Sequence, residues 1–173
     1  MEQYSMSEDL KSPQGVIRQF EYMFFVRAVW CCVTALISRT ETRVRDVFFF
    51  KSKVYPYDID WMKHMNNTKY LGVAKLARLS ALVEAGVWGV PYQIVSYRTS
   101  YCKEIKLSQT FLVRTQFQLK DPDLKTIMID QSFCDPEEQS KVFFKLKSEA
   151  ISNSRAFSNM KKLCSTVDCL KQN

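Results

Sequence analysis

The residues able to do chemistry crowd into one stretch, Tyr57-Asp58-Ile59-Asp60-Trp61-Met62-Lys63-His64-Met65-Asn66-Asn67-Thr68-Lys69-Tyr70. Two carboxylates, Asp58 and Asp60, stand two residues apart, and His64 is the single histidine of the chain. Asn66 and Asn67 come where an apolar run begins, the place of a helix N-cap, whose side-chain oxygen accepts from the free N–H groups of the first turn. Those N–H groups and the helix dipole together favour a developing negative charge. A carboxylate, an imidazole and a capped helix start are the parts that acyl transfer uses: a base or nucleophile, and a donor for the carbonyl oxygen. Each part also has a plain structural reading, since Asp and Asn before a helix are common caps.

The spacing D-x-D-x-x-x-H-x-N-N-x-x-Y, formed by Asp58, Asp60, His64, Asn66, Asn67 and Tyr70, resembles the hotdog-fold thioesterases of the 4-hydroxybenzoyl-CoA thioesterase type. The likeness takes in Arg43-Val44-Arg45-Asp46 upstream and Tyr70-Leu71 and Ala77-Arg78 downstream, and it covers roughly residues 20–155. It implies an α+β hotdog fold, an antiparallel sheet wrapped around one long central helix. It implies that Asp60 is the catalytic carboxylate, as base or nucleophile, with Asp58 as a structural partner. His64 would orient Asp60, bond the thioester carbonyl or shape the loop. Asn66 and Asn67 would hold the loop and cap the helix, and backbone N–H groups from Met65 to Asn67 would polarise the carbonyl. The acyl group would lie beside the helix, lined by Tyr70, Val73, Ala77, Phe111 and Phe133. Coenzyme A phosphates would meet Arg98, Lys103, Lys106 and Arg114, each of which also reads as a solvated surface residue. A homodimer follows from the resemblance, with the site between subunits, and no cofactor beyond the coenzyme A of the substrate. The chain also departs from the pattern. Lys75 and Leu76 stand where many active relatives carry an acidic pair on the helix, Glu84 comes too late to replace it, and Met62 stands where some carry an Asn. Three readings stay open: an acyl-CoA thioesterase, a non-catalytic acyl-CoA or lipid binder at a membrane, and a scaffold with an apolar interface.

The elements that must position this stretch follow from pattern. The length, 173 residues, fits one domain of about 100–150 residues with extensions. Apolar content of 46% is ample for a core and argues against disorder. Residues 1–45 read as an N-terminal extension holding an apolar helix at about 16–38, residues 46–154 as the hotdog domain, and residues 155–173 as a basic tail. The 16–38 run is interrupted by Glu21 and Arg27, too short and too charged to span a bilayer. Flanked by Arg18, Arg39, Arg43 and Arg45, it suits a helix lying on a membrane surface on the cytoplasmic side, or one packed on the domain.

Val47 to Tyr55 is β-branched and aromatic and predicts a strand ended by Pro56. Thr68 to Ala85 predicts a helix apolar nearly all round, which is a buried helix, stopped at Gly86. Residues 93–101 and 111–120, the apolar set Ile127, Ile129 and Phe133, and the alternation from Val142 to Ala150 predict four further strands in an antiparallel meander. Asp121-Pro122-Asp123 and Asp135-Pro136-Glu137-Glu138 carry the turn chemistry between them.

Charge is uneven. Residues 54–140 hold ten basic and ten acidic side chains, whereas residues 141–173 hold seven against two and residues 1–53 eight against six. Basic flanks around a neutral domain suit a phosphate-bearing ligand or an anionic membrane. Nucleic acid is disfavoured, because no recognised binding motif accompanies the charge. Six cysteines without a C-x-x-C, and a lone histidine, make a zinc site unexpected and a reducing compartment the default.

Overall fold

The computed structural model describes residues 13–37, 47–87, 92–121 and 126–152. The motif Arg43-Val44-Arg45-Asp46 and the expected tail at 155–173 lie outside the described residues. Helix α1 (Pro13–Ile37) is followed by β1 (Phe48–Lys53), a single 3-10 turn (Pro56–Asp58), helix α2 (Asn67–Glu84) and four strands: β2 (Tyr92–Tyr101), β3 (Thr110–Asp121), β4 (Thr126–Cys134) and β5 (Val142–Ser152). The strands form one antiparallel sheet in the order β1-β3-β4-β5-β2, with α2 packed on one face. This is the hotdog arrangement that the motif implies, with an additional N-terminal helix.

The expected meander holds for β3, β4 and β5 only. Asp135 Oδ1 accepts from Glu137 and Glu138 N–H at 3.1 and 3.4 Å in the β4–β5 turn. Those backbone bonds, the Glu137 one foremost, hold its carboxyl below the usual range. β2 does not pair with β3. It crosses to the far edge and pairs with β5, leaving the near edge of β3 for β1. The reason is the segment 102–109, too long for a tight hairpin, which runs beneath the start of α2 and bonds the motif loop on the way.

Strand alternation sets the two faces of the sheet. Phe111, Val113 and Phe117, with Ile127, Ile129, Phe133, Phe144, Leu146 and Ala150, are buried against α2. Three alanines, Ala74, Ala77 and Ala81, face them and let the helix approach closely. The other side of α2 is covered by α1. Cys31 and Ala35 are buried there, and Cys31 Sγ donates to the Leu76 carbonyl at 3.5 Å. A helix covered on two sides explains an apolar pattern wider than one face. Another face of α1 is open among the described residues: Phe25, Val29, Trp30, Val33, Leu36 and Ile37 are exposed.

The core divides in two. Tyr70, Val73, Phe111, Phe133 and Phe144 belong to one cluster, and Phe48, Leu82, Phe117, Ile127 and Ile129 to another. Between them lies a buried polar layer. Arg78 Nη1 donates to Gln131 Oε1 at 2.6 Å, and Gln131 Nε2 donates to the Ala74 carbonyl at 3.0 Å and to Thr115 Oγ1 at 3.1 Å. The Arg78 charge is buried without a carboxylate among these partners, so Gln131 is its main compensation. Gln131→Met keeps the volume and removes all three bonds. The expected outcome is a loss of about 2–3 kcal/mol in unfolding free energy, read as a fall in the urea midpoint with an unchanged slope.

Candidate active site

The motif loop is a miniature hairpin that hands the chain to α2. Asn66 N–H donates to the Asp58 carbonyl at 2.8 Å, Ile59 bridges Met65, and Asp60 N–H donates to the His64 carbonyl at 3.0 Å. At the tip, Lys63 N–H closes the turn onto the Asp60 carbonyl at 3.1 Å. Lys63 does so at φ 64°, a left-handed conformation that costs a non-glycine residue about 1–2 kcal/mol. The reversal lays His64 beside Asp60, with Nδ1 3.4 Å from Oδ2. That is within ion-pair range and longer than a formed N–H···O bond. The other oxygen, Oδ1, accepts the Met62 N–H at 2.9 Å. One oxygen of Asp60 is therefore pinned to the backbone while the second faces the imidazole. Both side chains are one-fifth exposed, and Trp61 and Met62 beside them project into solvent at 88% and 56%.

Asp58 has a different station. It is 2% exposed. Its carboxylate accepts the Tyr55 N–H at 3.1 Å and Arg27 Nη1 at 3.3 and 3.2 Å. Arg27 reaches in from α1, donates through Nη2 to Ser52 Oγ at 2.9 Å, and lies 5.2 and 5.9 Å from the Tyr55 and Tyr57 ring centres. Those two rings stack on each other at 5.5 Å. The side-chain partner of Asp58 is Arg27 rather than Asp60. The sequence reading counted Arg27 only as a charge interrupting an apolar segment. The signal available was its position, as the single charged residue between Met23 and Ile37.

The Asn pair separates into two roles. Asn66 is the N-cap: Oδ1 accepts from Thr68 N–H at 2.9 Å and Thr68 Oγ1 at 2.8 Å. Asn67 is the first helical residue and is exposed, so it caps nothing. Of the backbone donors expected to polarise a carbonyl, Met65 N–H is taken by Ile105 and Asn66 N–H by Asp58. Asn67 N–H has no partner among the described residues and remains open at the helix start.

Two expectations need correction. Tyr70, Ala77, Phe111 and Phe133 border none of the pockets found among the described residues, and Val73 borders only a small one of about 40 Å³ beside Arg27, Tyr57 and Asp58. All five expected liners are 0–3% exposed and packed on one another, with Tyr70 4.7 Å from Phe144 and Phe111 5.5 Å from Phe133 between ring centres. The alanine face of α2 sits too close to the sheet to leave space. Burial pushes the Tyr70 hydroxyl up to about 12, so it stays a neutral phenol near pH 7. Second, the four expected phosphate-binding cations do not converge. Lys106 pairs by its backbone with His64, and Lys103 lies on the same segment. Arg98 and Arg114 lie in register with Lys147 and Ser132, on the sheet face away from α2. Leu76, read above with Lys75 as standing in the place of an acidic pair, is buried under α1 at 1% exposure.

An open groove of about 590 Å³ runs between α1 and β1. Arg27, Ser52 and Tyr55 mark one end, and Trp30, Ala35 and Phe49 supply apolar wall. No cluster of metal-ligating side chains occurs among the described residues, and no described helix is long and apolar enough to cross a membrane.

Known proteins match both the sequence and the fold. The profile of the thioesterase-like superfamily matches residues 54–156, more than half of the chain. The Xenopus laevis protein THEM6 is 26% identical over 128 residues, which cover 69% of this chain and 59% of that one. The chain thus spans about three-fifths of the length of this curated relative. Among solved structures, a probable thioesterase of Bartonella henselae aligns with a TM-score of 0.54 at 14% identity, over 62% of this chain and 90% of its own. A hypothetical thioesterase protein of Streptococcus pneumoniae TIGR4, solved with coenzyme A, aligns at 0.53 and 12% over 64% and 82%. YbaW, a probable thioesterase of Escherichia coli, aligns at 0.51 and 21% over 63% and 86%. At these identities the structures speak to the fold alone. The profile match, laid over the loop and helix just described, makes this chain a member of the thioesterase-like superfamily.

Proposed function

We propose that the protein hydrolyses the thioester of a fatty or aromatic acyl-CoA, with Asp60 as its leading residue. The observation that carries this is the Asp60 carboxylate: one oxygen pinned to Met62 N–H, the other facing His64, on the hairpin that leads into the N-terminus of α2. In this reading Asp60 Oδ2 takes a proton from a water molecule, whose oxygen attacks the thioester carbonyl. The charge that develops on the carbonyl oxygen is met by the Asn67 N–H and the helix dipole. The C–S bond breaks, the coenzyme A thiolate leaves with the proton that Asp60 holds, and a carboxylic acid remains. His64 keeps Asp60 oriented. No cofactor beyond the substrate is required.

Three further parts belong to the proposal. The acyl chain takes the α1–β1 groove, because the layer between α2 and the sheet is filled. The working unit is a homodimer joined at the free edge of β2, where Val95, Tyr97 and Tyr101 are exposed on the terminal strand of the sheet. The exposed apolar face of α1, set among basic flanks, rests on a membrane surface on the cytoplasmic side. The coenzyme A present in one structural relative supports an acyl-CoA ligand by analogy of fold. One observation favours binding without turnover: Asp58 is committed to Arg27, and Leu76 occupies the place of a helix carboxylate, so Asp60 works without a second acid beside it.

Coenzyme A release from a panel of short, long and aromatic acyl-CoAs, with binding scored in the same samples, tests the proposal. Native protein is expected to turn over at least one class, and Asp60→Asn to lose about a hundredfold or more in kcat with KM little changed. Saturable binding with no release by either protein would overturn the enzyme reading in favour of the binding module. For the dimer, analytical ultracentrifugation is expected to show two copies for the native chain. Lysine at both Val95 and Tyr97 is expected to give a folded monomer, since like charges at an edge block pairing.

A further inference from the structure

Between Phe25 and Ile37 the sequence offers one charged side chain, Arg27, and the structure spends it on the motif loop. Asp60 and His64 sit at the tip of the miniature hairpin, and Asp58 and Asn66 form its base. The base is fixed from two directions. Asn66 N–H holds the Asp58 carbonyl, and Arg27 holds the Asp58 carboxylate from outside the loop. The guanidinium is itself fixed, by Ser52 Oγ on β1 and by the paired Tyr55 and Tyr57 rings. A buried carboxylate whose cation is withdrawn must find water or protonate, and either change moves its backbone. The family match begins at Val54. Asp58 therefore lies within the matched region and its cation outside it, on α1.

We infer that Arg27 is a positioning residue for the Asp60–His64 pair: by holding Asp58 it fixes the hairpin that carries both, so that the site is assembled only while α1 is docked. The inference rests on the reading of Asp60 as the functional carboxylate, and it names what regulates that site. Docking of α1 among the described residues otherwise depends on small contacts, Cys31 and Ala35 against α2. Displacing α1 exchanges these contacts, the ion pair, the Ser52 bond and the ring contacts of Arg27 for a loosened loop. Arg27 touches no reacting atom; its effect runs through Asp58.

The single histidine makes the test direct, because every imidazole signal in a proton–carbon NMR spectrum belongs to His64. The full chain is compared with Arg27→Ala, Arg27→Lys, Asp58→Asn and the double variant, and with Val29→Ala, which alters only the exposed face of α1. The expected result is that Arg27→Ala displaces or broadens the His64 ring signals and the amide signals of residues 58–66, while the amides of β3 and β4 keep their positions. Arg27→Lys, which keeps the charge but cannot span Asp58 and Ser52 together, should displace them less. Val29→Ala should leave them in place. Adding Arg27→Ala to Asp58→Asn should produce no further displacement, since the two act through one bond. Native-like His64 signals in both Arg27→Lys and Asp58→Asn would overturn the inference even if Arg27→Ala fails to fold. So would additive effects in the double variant. Where native protein releases coenzyme A, Arg27→Ala is expected to lower kcat by about tenfold with KM shifting less than about twofold. Absence of release in the native chain counts against the proposed activity alone, because the NMR comparison reads the loop without it.

Discussion

A carboxylate taken out of water must be met by charge and hydrogen bonds, and Asp58 is where this fold accepts that constraint. At 2% exposure it accepts from the backbone of Tyr55 and from the guanidinium of Arg27, while its own carbonyl closes the motif hairpin through Asn66. Four pieces of chain meet at this one residue: the N-terminal helix, the segment just after β1, the 3-10 turn and the start of α2. The placement of Asp60 and His64 follows from this knot, with the left-handed Lys63 turning the tip back on itself. The sharpest geometry of the site thus comes from residues that carry no chemistry.

The sheet and α2 contribute a closed body and little else. Their shared layer is filled by aromatic and aliphatic side chains around an alanine-faced helix, so a ligand of any length has to use the periphery. The periphery offers the groove along β1 and the unpaired margin of β2. Both are made by elements at the boundary of the fold, which is where loop chemistry and partner surfaces usually reside.

Much of this was legible in the sequence. The period of two in 111–120, the all-round apolar helix and the turn residues at Asp135-Pro136 define the elements, and the Asp58–Tyr70 spacing defines the family. The destination of β2 was not legible, because alternation reports that a segment is a strand and not which neighbour it takes. Buried aromatics next to a motif also look the same in sequence whether they line a channel or fill a core. Phe111 and Phe133 read as liners until the closeness of Ala74 and Ala77 to the sheet is known. The Arg27–Asp58 pair spans 31 positions and no local rule connects them. The stray charge within an apolar helix was its one trace.

The polar layer between the two apolar clusters has a consequence for uniqueness. An alanine face is smooth, and smooth faces slide: shifted by one turn along the sheet, Ala74, Ala77 and Ala81 would still meet apolar side chains at little loss. Arg78 would not. One turn away its guanidinium would leave Gln131 and face Phe117 and Ile129, which offer no acceptor. Arg78, Gln131 and Thr115 therefore act as an index pin, penalising every slipped packing and leaving a single axial setting for α2. A helix so indexed delivers its N-terminus to one point in space, which is the condition for the carboxylate on the preceding hairpin to be aimed at all.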